Sequence, residues 1–228
     1  MDKYSLLLLL FPVFFNSGIL SAEPLNQSAD DSVYLHNRNY RLQTDLYDIY
    51  KTKKAEIVML GNSITHGVNW SELLDRTDVV ERGIPSDVLQ GFLNRMDYIY
   101  KLRPSVCFIM GGINDIYSGI PVDTVFSRYK KIISGLTERK IRPVIQSTLY
   151  VSPKWHDAAE KNIDVEKLNK MLLDFSAENK IDFVDLNKIL SKNKLLIDKY
   201  TFDGVHLTGE AYKLWAVEIE KVLKRMGK

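Results

Sequence analysis

Apolar runs of strand length alternate with amphipathic stretches of helix length along most of this chain. The apolar runs, which we take as strands, lie at 56–60, 79–81, 105–110, 143–149 and 181–184. The stretches with apolar residues at helical spacing, which we take as helices, lie at 86–101, 122–139, 163–179 and 209–225. Apolar strands that alternate with helices are typical of a parallel sheet covered on both faces. The alternation therefore predicts a single α/β domain.

The N-terminal segment has the pattern of an export signal. Lys3 precedes an apolar stretch at 6–15, and small residues follow up to Ala22, as in secretory signal peptides. The apolar stretch is shorter than the roughly 20 residues that a transmembrane helix requires. We therefore expect residues 1–22 to be a signal peptide that is removed on export to a periplasmic or extracellular space, which leaves no stable membrane anchor.

A polar stretch and a periodic one lie between this signal and the first strand. Residues 23–32 are polar and predict a flexible leader. Apolar residues recur at helical spacing within 34–53, which predicts a helix that covers the sheet. The folded domain is accordingly expected at 33–228.

Composition and charge exclude several classes of protein. The 228 residues are 45% hydrophobic and 26% charged, as in ordinary globular domains. The 31 Lys and Arg are intermixed with 29 Asp and Glu, for a net charge of +2, so no nucleic-acid partner is expected. The single cysteine, Cys107, lies in an apolar run, where we expect a buried thiol.

Four short polar segments follow predicted strands or lie in loops that can reach their ends. They are Gly-Asn-Ser-Ile at 61–64, Gly83, Gly-Ile-Asn-Asp at 112–115 and Asp-Gly-Val-His at 203–206. Taken alone, each segment is more typical of a turn or a helix cap than of a catalytic site. In an open parallel sheet, however, the ligand site lies beyond the carboxyl ends of the strands. Together the segments indicate a catalytic site at that edge.

The residue types in these segments match the requirements of serine catalysis. A serine hydroxyl needs a base to remove its proton during attack, and Ser63 has a candidate base in His206. Asp203, three residues before His206, can fix the ring tautomer and stabilise the imidazolium. The sequence therefore predicts a triad in the order Ser, Asp, His. His66 and His156 lie in predicted loops and could line the same cleft.

Attack on an ester carbonyl creates an oxyanion, which needs preorganised hydrogen-bond donors. The candidate donors are the backbone N–H of Ser63, the backbone N–H of Gly83 and the side-chain amide of Asn114. The sequence therefore predicts an oxyanion hole built from these three groups. Gly83 by itself carries little weight, because a lone glycine after a strand has many other uses.

The blocks around these segments resemble the SGNH hydrolases, the family also named for a Gly-Asp-Ser-Leu motif. The resemblance covers 57–66, 82–96, 105–116 and 200–215, nearly the whole domain. It implies a flavodoxin-like three-layer α/β/α sandwich with a five-stranded parallel sheet of order 2-1-3-4-5. It also implies no metal and no organic cofactor.

By the same resemblance, individual residues carry over. Ser63, Gly83, Asn114 and His206 stand as the four defining residues, and Asp203 completes the triad. The expected activity is that of a carboxylic ester hydrolase that works through an acyl-enzyme.

The nucleophile segment departs from the family pattern at two positions. Asn62 stands where the family name has Asp, and Ile64 stands where it has Leu. These changes affect the expected hydrogen bonding of the turn and leave the nucleophile in place. The chain also lacks the Gly-x-Ser-x-Gly elbow, which argues against the α/β-hydrolase version of the triad.

Aromatic residues near the predicted site bear on the substrate. The segment 147–163, with Tyr150, Trp155 and His156, leaves the fourth strand and is the expected specificity loop. Tyr117 follows Asn114-Asp115 and should form another wall. These side chains could stack on a sugar or cover the edge of the core. No long apolar lid is evident, which favours a small-molecule ester with a short acyl group, such as acetyl on a carbohydrate.

Other functions remain open at this stage. The family also contains lysophospholipases and thioesterases, so a lipid substrate is an alternative. An acyltransferase would use the same nucleophile, and a non-catalytic binding module could share the fold. A binding module typically loses the catalytic groups, whereas this chain keeps Ser63, Asn114 and His206.

Overall fold

Five parallel strands form the centre of the domain. The computed structural model describes residues 30–228. The strands are β1 (Ile57–Gly61), β2 (Val79–Gly83), β3 (Val106–Met110), β4 (Arg142–Gln146) and β5 (Asp182–Val184). Their order is β2-β1-β3-β4-β5, with every neighbouring pair parallel. The predicted sheet and its strand order are confirmed.

Helices flank this sheet, as the predicted three-layer sandwich requires. They are α1 (Arg38–Ile49), α2 (Ser63–His66), α3 (Trp70–Leu73), α4 (Leu89–Asn94), α5 (Asp97–Tyr100), α6 (Ile113–Tyr117), α7 (Val122–Glu138), α8 (Ala158–Asn179), α9 (Asn187–Leu190) and α10 (Gly209–Arg225). Two 3-10 helices (Asp30–His36 and Asp198–Tyr200) and a two-stranded hairpin, β6 (Ser191–Lys192) with β7 (Leu195–Leu196), complete the described elements.

The central strands are buried along their whole length. Every residue of β1 and β3 is buried, because helices cover both faces of the sheet and leave no solvent-facing side. Cys107 of β3 is fully buried, so the predicted buried thiol is confirmed. This rigid centre holds the strand ends where the polar segments begin.

The last helix joins the end of β4 to the helix that follows β1. Trp215 of α10 packs edge-on against Trp70 of α3, with ring centroids 4.8 Å apart. Its indole N–H donates to Gln146 Oε1 at 2.5 Å. Tyr212, stacked on Trp215, donates its hydroxyl to the carbonyl of Ile64 at 2.7 Å. The α10 side chains therefore hold α2 in position at the carboxyl edge of the sheet.

Several boundaries differ from the predictions for physical reasons. The predicted helix 86–101 is two short helices, α4 and α5, because Arg95 leaves helical torsions with φ −118° and turns its side chain into the core. The predicted strand 143–149 ends at Gln146, where side chains take over the backbone hydrogen bonds. Asn169 Oδ1, for example, accepts from the N–H of Thr148 at 2.8 Å. The predicted helix 163–179 starts earlier, at Ala158.

The covering helix is shorter than the predicted 34–53. A 3-10 helix starts at Asp30, inside the predicted leader 23–32, and Asn37 then caps α1 by accepting from the N–H of Asn39 at 3.0 Å. The predicted signal peptide 1–22 lies outside the described residues. Within 30–228, no helix has both the length and the apolar character needed to cross a membrane.

Candidate active site

Ser63 lies at the first position of α2, directly beyond the end of β1. Asn62 caps this helix through its side-chain oxygen, which accepts from the N–H of Ile64 at 3.0 Å, so asparagine supplies the cap at this position. The turn needs glycine before it, because a Cβ on Gly61 would lie 1.9 Å from Thr65 Oγ1. As the first residue of the helix, Ser63 also has a backbone N–H with no intrahelical acceptor.

Ser63, His206 and Asp203 form one hydrogen-bonded line. His206 Nε2 lies 3.0 Å from Ser63 Oγ, and its Nδ1 lies 2.6 Å from Asp203 Oδ2. The other carboxylate oxygen of Asp203 accepts from the N–H of Val205 at 2.9 Å and of His206 at 2.8 Å. These distances are those of a nucleophile, its base and the group that orients the base. The structure therefore brings together the three residues predicted as a triad.

Asp203 is held in its ionised form. Burial alone would raise its pKa, but the hydrogen bond with His206 and the two backbone N–H groups outweigh burial and lower the pKa below the usual value. A carboxylate in this state accepts the Nδ1–H of His206 and leaves Nε2 free to take a proton from Ser63.

The triad loop packs tightly against the predicted specificity loop. Gly204 has φ +107°, and a Cβ there would lie 2.9 Å from the backbone nitrogen of Trp155. Its carbonyl accepts from the N–H of Ser152 at 2.8 Å. Both the positive φ and the close contact with Trp155 require glycine at this position. The tight packing couples the position of Trp155 to that of His206.

Asn114 lies in α6, which follows β3 at the same carboxyl edge of the sheet as Ser63. The helix starts after Gly112, which has φ +99°. The side-chain nitrogen of Asn114 donates to the carbonyl of Asp87 at 2.8 Å. Because an amide nitrogen carries two hydrogens, this bond orients the group and leaves one hydrogen available to a ligand in the cleft.

Gly83 does not take the predicted role of oxyanion donor. Its N–H donates to the side chain of Glu81, and Gly83 is not among the residues that line the cleft at Ser63. Glycine is required here for packing, because a Cβ would lie 2.7 Å from the carbonyl oxygen of Asn62 and 2.6 Å from the nitrogen of His66. The prediction for Gly83 is therefore corrected.

Ser86, which was not predicted from the sequence, offers a candidate backbone donor instead. It lines the cleft, has φ +61° and donates no backbone hydrogen bond within residues 30–228. The N–H of Asp87 bonds to the carbonyl of Ile84 at 3.1 Å, which closes a turn with Pro85 at its second position. Proline followed by a residue of positive φ is typical of a type II turn. The Pro-Ser-Asp sequence is the signal that could have identified it.

The cleft beside Ser63 has a volume of about 360 Å³. It is lined by Ser63, Ser86, Ile113, Asn114, Tyr117, Ser118, Trp155, His156, Val205 and His206. Tyr117, Trp155 and His156 are thus where the sequence predicted them.

Tyr150 is not among the lining residues. Its N–H donates to Asn187 Oδ1 at 3.1 Å, and its ring packs on the core. His66 also lies elsewhere, with Nδ1 3.6 Å from Glu81 Oε2.

Three aromatic side chains form one wall of this cleft. The hydroxyl of Tyr117 donates to the carbonyl of His156 at 2.7 Å, and the two rings lie edge to face at 4.9 Å. The ring of Trp155 lies 5.4 Å from that of His156. The wall therefore joins α6 to the loop after β4.

A buried arginine holds the turns that carry the candidate donors. Arg95 Nε donates to Asp87 Oδ2 at 2.8 Å. Its two terminal nitrogens donate to the carbonyls of Arg82, at 2.8 Å, and Gly61, at 2.9 Å. Arg95 and Asp87 are almost completely buried, where a charge requires such partners. The ends of β1 and β2 and the Ser86 turn are thus linked through one side chain.

A second buried carboxyl lies next to Asn114. Asp115 is fully buried and accepts from the N–H of Leu89 at 3.1 Å. Its Oδ1 lies 3.5 Å from Arg128 Nη1. Burial raises the pKa of Asp115 to about 7 and that of Asp87 to about 6. Among the described residues, no three His, Cys, Asp or Glu side chains are grouped so that they could hold a metal ion.

Known proteins resemble this chain in both sequence and fold. The N-acylneuraminate cytidylyltransferase of Streptococcus agalactiae serotype III is 29% identical over 162 residues, which are 71% of this chain and 37% of that protein. The chain thus spans little more than a third of that relative.

Solved structures share the fold over nearly their whole length. A GDSL-like lipase from Bacteroides thetaiotaomicron superposes with a TM-score of 0.72 at 24% identity, over 82% of this chain and 98% of the other. An acetyl-xylooligosaccharide esterase from Geobacillus has a TM-score of 0.61 at 16% identity, over 75% and 95%. The model of the GDSL-like Lipase/Acylhydrolase family matches residues 59–214. Since this match covers more than half of the sequence, the chain belongs to the GDSL-like lipase/acylhydrolase family.

Proposed function

We propose that this protein is a serine esterase that removes short acyl groups, acetyl above all, from carbohydrate through an acyl-enzyme. The observation that carries the proposal is the line of Asp203, His206 and Ser63, with contacts of 2.6 and 3.0 Å, beside a cleft of about 360 Å³. Membership of an acylhydrolase family supports the same reaction class.

The first half of the reaction forms the acyl-enzyme. His206 Nε2 takes the proton of Ser63 Oγ while the oxygen attacks the ester carbonyl. The carbonyl oxygen becomes negatively charged and is met by the N–H of Ser63, the N–H of Ser86 and the amide of Asn114. His206 then gives its proton to the leaving alcohol, and the bond between the carbonyl carbon and the alcohol oxygen breaks.

The second half releases the acid. Water enters beside His206, which takes one proton from it, and the hydroxide attacks the acyl carbon. The same three donors stabilise the second oxyanion. When that intermediate collapses, the proton on His206 returns to Ser63 Oγ and the free acid leaves. Asp203 stays ionised throughout and stabilises each imidazolium.

Size and lining support a short acyl group on a sugar. The aliphatic side chains that line the cleft beside Ser63 are Ile113 and Val205, which suits a small acyl group better than a long chain. The wall of Tyr117, Trp155 and His156 offers ring faces of the kind on which sugars stack. The names of two similar proteins, an acetyl-xylooligosaccharide esterase and an N-acylneuraminate cytidylyltransferase, also refer to sugars.

The test is hydrolysis of p-nitrophenyl esters from acetate to decanoate, followed by acetylated xylooligosaccharides and O-acetylated N-acylneuraminate. Ser63→Ala should lose activity by at least about 1,000-fold, and wild-type activity should fall as the acyl chain lengthens. Ser118→Ala is the matched control, because Ser118 also lines the cleft but has no role in the mechanism.

Each alternative has its own outcome in this experiment. Activity that rises with acyl length would replace the proposal with a lipid substrate. Equal rates for wild type and Ser63→Ala would indicate a binding module. Transfer of the acyl group to an added sugar acceptor in preference to water would indicate an acyltransferase.

We also propose that the chain is exported, on the pattern of residues 1–22. The expected mature protein begins at residue 23 in a periplasmic or extracellular fraction. Mass spectrometry of the mature N-terminus tests this, and a chain that still begins at Met1 would contradict it.

A further inference from the structure

A second cavity, of about 180 Å³, lies at the edge of the sheet between α1 and β2. Residues of α1, the segment that follows it, β2 and α5 line the cavity. Its lining includes three cationic side chains, Lys53, Arg82 and Lys101, and a single carboxylate, Asp48. None of these residues belongs to the cleft at Ser63. The cavity therefore carries an excess of positive charge that the ester chemistry does not use.

Arg82 is the buried part of this cationic group. The residue is only 5% exposed, and it forms no ion pair with a carboxylate in the part of the chain that the structure describes. One terminal nitrogen donates to the backbone carbonyl of Glu81 at 2.7 Å, while Nε is buried without a hydrogen-bond partner. Buried charges are ordinarily paired. The rings of Tyr47 and Tyr50, at 4.6 and 5.7 Å, compensate the charge in part.

The other cations are also without a countercharge. Lys53 and Lys101 are exposed and form no ion pair with another described residue. Lys101 Nζ lies 5.3 Å from the ring of Tyr98. Asp48 is already engaged, because its Oδ1 accepts the Tyr98 hydroxyl at 2.9 Å.

We infer that this cavity binds a small oxyanion such as phosphate, sulfate or a carboxylate, held by Arg82 with Lys53 and Lys101 around it. A guanidinium matches the geometry of such anions, and its hydrogen bonds to an anion are strong. The small volume suits a free anion or a small headgroup. The anion supplies the countercharge that Arg82 lacks.

The site would also stabilise the end of β2. The Arg82 carbonyl accepts from Arg95, and the next residue, Gly83, accepts the hydroxyl of Tyr47 at 2.9 Å. An anion on Arg82 therefore binds where α1 and β2 meet, and it should raise the unfolding temperature. The inference does not depend on the proposed esterase activity.

The experiment is a titration of the protein with inorganic phosphate at constant ionic strength. Isothermal titration calorimetry measures the binding, and thermal unfolding measures the effect of phosphate on the unfolding temperature. Wild type should bind one phosphate with a saturable isotherm. A Lys53→Gln, Lys101→Gln double variant should bind at least about tenfold more weakly, and it should fold normally because both side chains are exposed. Sulfate and acetate titrations then rank the preferred anion.

The matched control is a Lys51→Gln, Lys54→Gln double variant. It makes the same change in net charge, at two positions beside Lys53 that do not line the cavity, and should bind as wild type does. Equal weakening in both double variants would overturn the site, since the effect would then be general electrostatics. An isotherm without saturation in wild type would overturn it as well.

Discussion

At the scale of single residues, the site depends on backbone torsions as much as on side chains. Gly204 and Gly112 have φ of +107° and +99°; Gly204 directly follows Asp203, and Gly112 lies two residues before Asn114. Ser86 has φ +61° without being glycine. Non-glycine residues held in this region cost roughly 1–3 kcal/mol and occur preferentially at functional sites. The Ser86 torsion is therefore consistent with a turn kept for its N–H, which donates to no backbone carbonyl among residues 30–228.

Substitution can separate the proposed oxyanion donors. Asn114→Ala should lower kcat by about 100- to 1,000-fold, because its donor is a side chain. Ser86→Gly should leave kcat close to wild type, since its donor is the backbone N–H and glycine adopts positive φ freely. Steady-state kinetics on p-nitrophenyl acetate measure both. A large loss in Ser86→Gly would show instead that the hydroxyl is needed.

The aromatic wall should affect sugar binding more than chemistry. Trp155→Ala is expected to raise KM for acetylated xylooligosaccharides about tenfold, the value of one lost stacking contact, with little change on p-nitrophenyl acetate. Tyr150→Ala is the control, because Tyr150 does not line the cleft. Equal KM for wild type and Trp155→Ala would assign the wall to the edge of the core.

At the scale of elements, Arg95 decides how β1, β2 and α4 end together. The apolar spacing at 86–101 predicts one helix. The helix is interrupted at Arg95, because the guanidinium of this residue turns inward to three acceptors. Periodicity cannot show this, since those acceptors lie 8, 13 and 34 positions away in sequence. The same guanidinium contacts the side chain of Asp87, whose carbonyl accepts from the amide of Asn114.

Removal of this arginine should reduce both stability and catalysis. Arg95→Met leaves Asp87 buried without its partner, which we expect to cost about 3–5 kcal/mol of unfolding free energy. Arg95→Lys keeps the charge but not the three-way contact, so it should recover part of the stability while kcat stays low with KM unchanged. Urea denaturation and steady-state kinetics separate the two effects. Full kcat in Arg95→Lys would mean that the side chain does not position the donors.

At the scale of the whole molecule, the sheet topology brings remote segments into contact. Ser63 and His206 are 143 positions apart in sequence, and Ser63 Oγ lies 3.0 Å from His206 Nε2. Ser63 follows β1, near the centre of the sheet, and His206 lies in the loop that precedes α10. The Tyr212 hydroxyl of α10 then bonds to the Ile64 carbonyl, which holds the two segments together.

Stability should fall as pH rises from about 4 to about 7. Burial raises the pKa of Asp115 from 3.8 to about 7, so the folded state holds a proton that the unfolded chain has already released in this range. Asp87, with a pKa raised to about 6, acts in the same direction. Linkage then requires the unfolding free energy to decrease with pH through this window.

Urea denaturation at pH 4 and pH 7 measures this slope, with Asp115→Asn as the comparison. The variant should show a smaller decrease, because its buried group does not titrate. His66, whose pKa is raised by the hydrogen bond to Glu81, contributes the same sign in both proteins. Asp203 has a lowered pKa, so its stabilisation is lost only below about pH 4 and does not overlap. Identical slopes would contradict the assignment to Asp115.

Residue types and their spacing were enough to predict the fold class and the chemistry of the candidate triad. Apolar runs report burial directly, so the strands were predictable, and the family resemblance supplied their order. Ser63, Asn114, Asp203 and His206 could be named as candidates because serine catalysis needs those residue types, and the structure brings Ser63, Asp203 and His206 into contact.

The folded structure was needed to show which backbone segments border the cleft and which aromatic residues line it. The Gly83 N–H is turned to Glu81, Ser86 faces the cleft, and Tyr150 packs on the core. Such directions depend on torsion angles and on contacts between residues far apart in sequence. Residue type and spacing do not encode them locally. For this reason the residues of the candidate triad could be named from the sequence, whereas Ser86, the proposed backbone donor, could not.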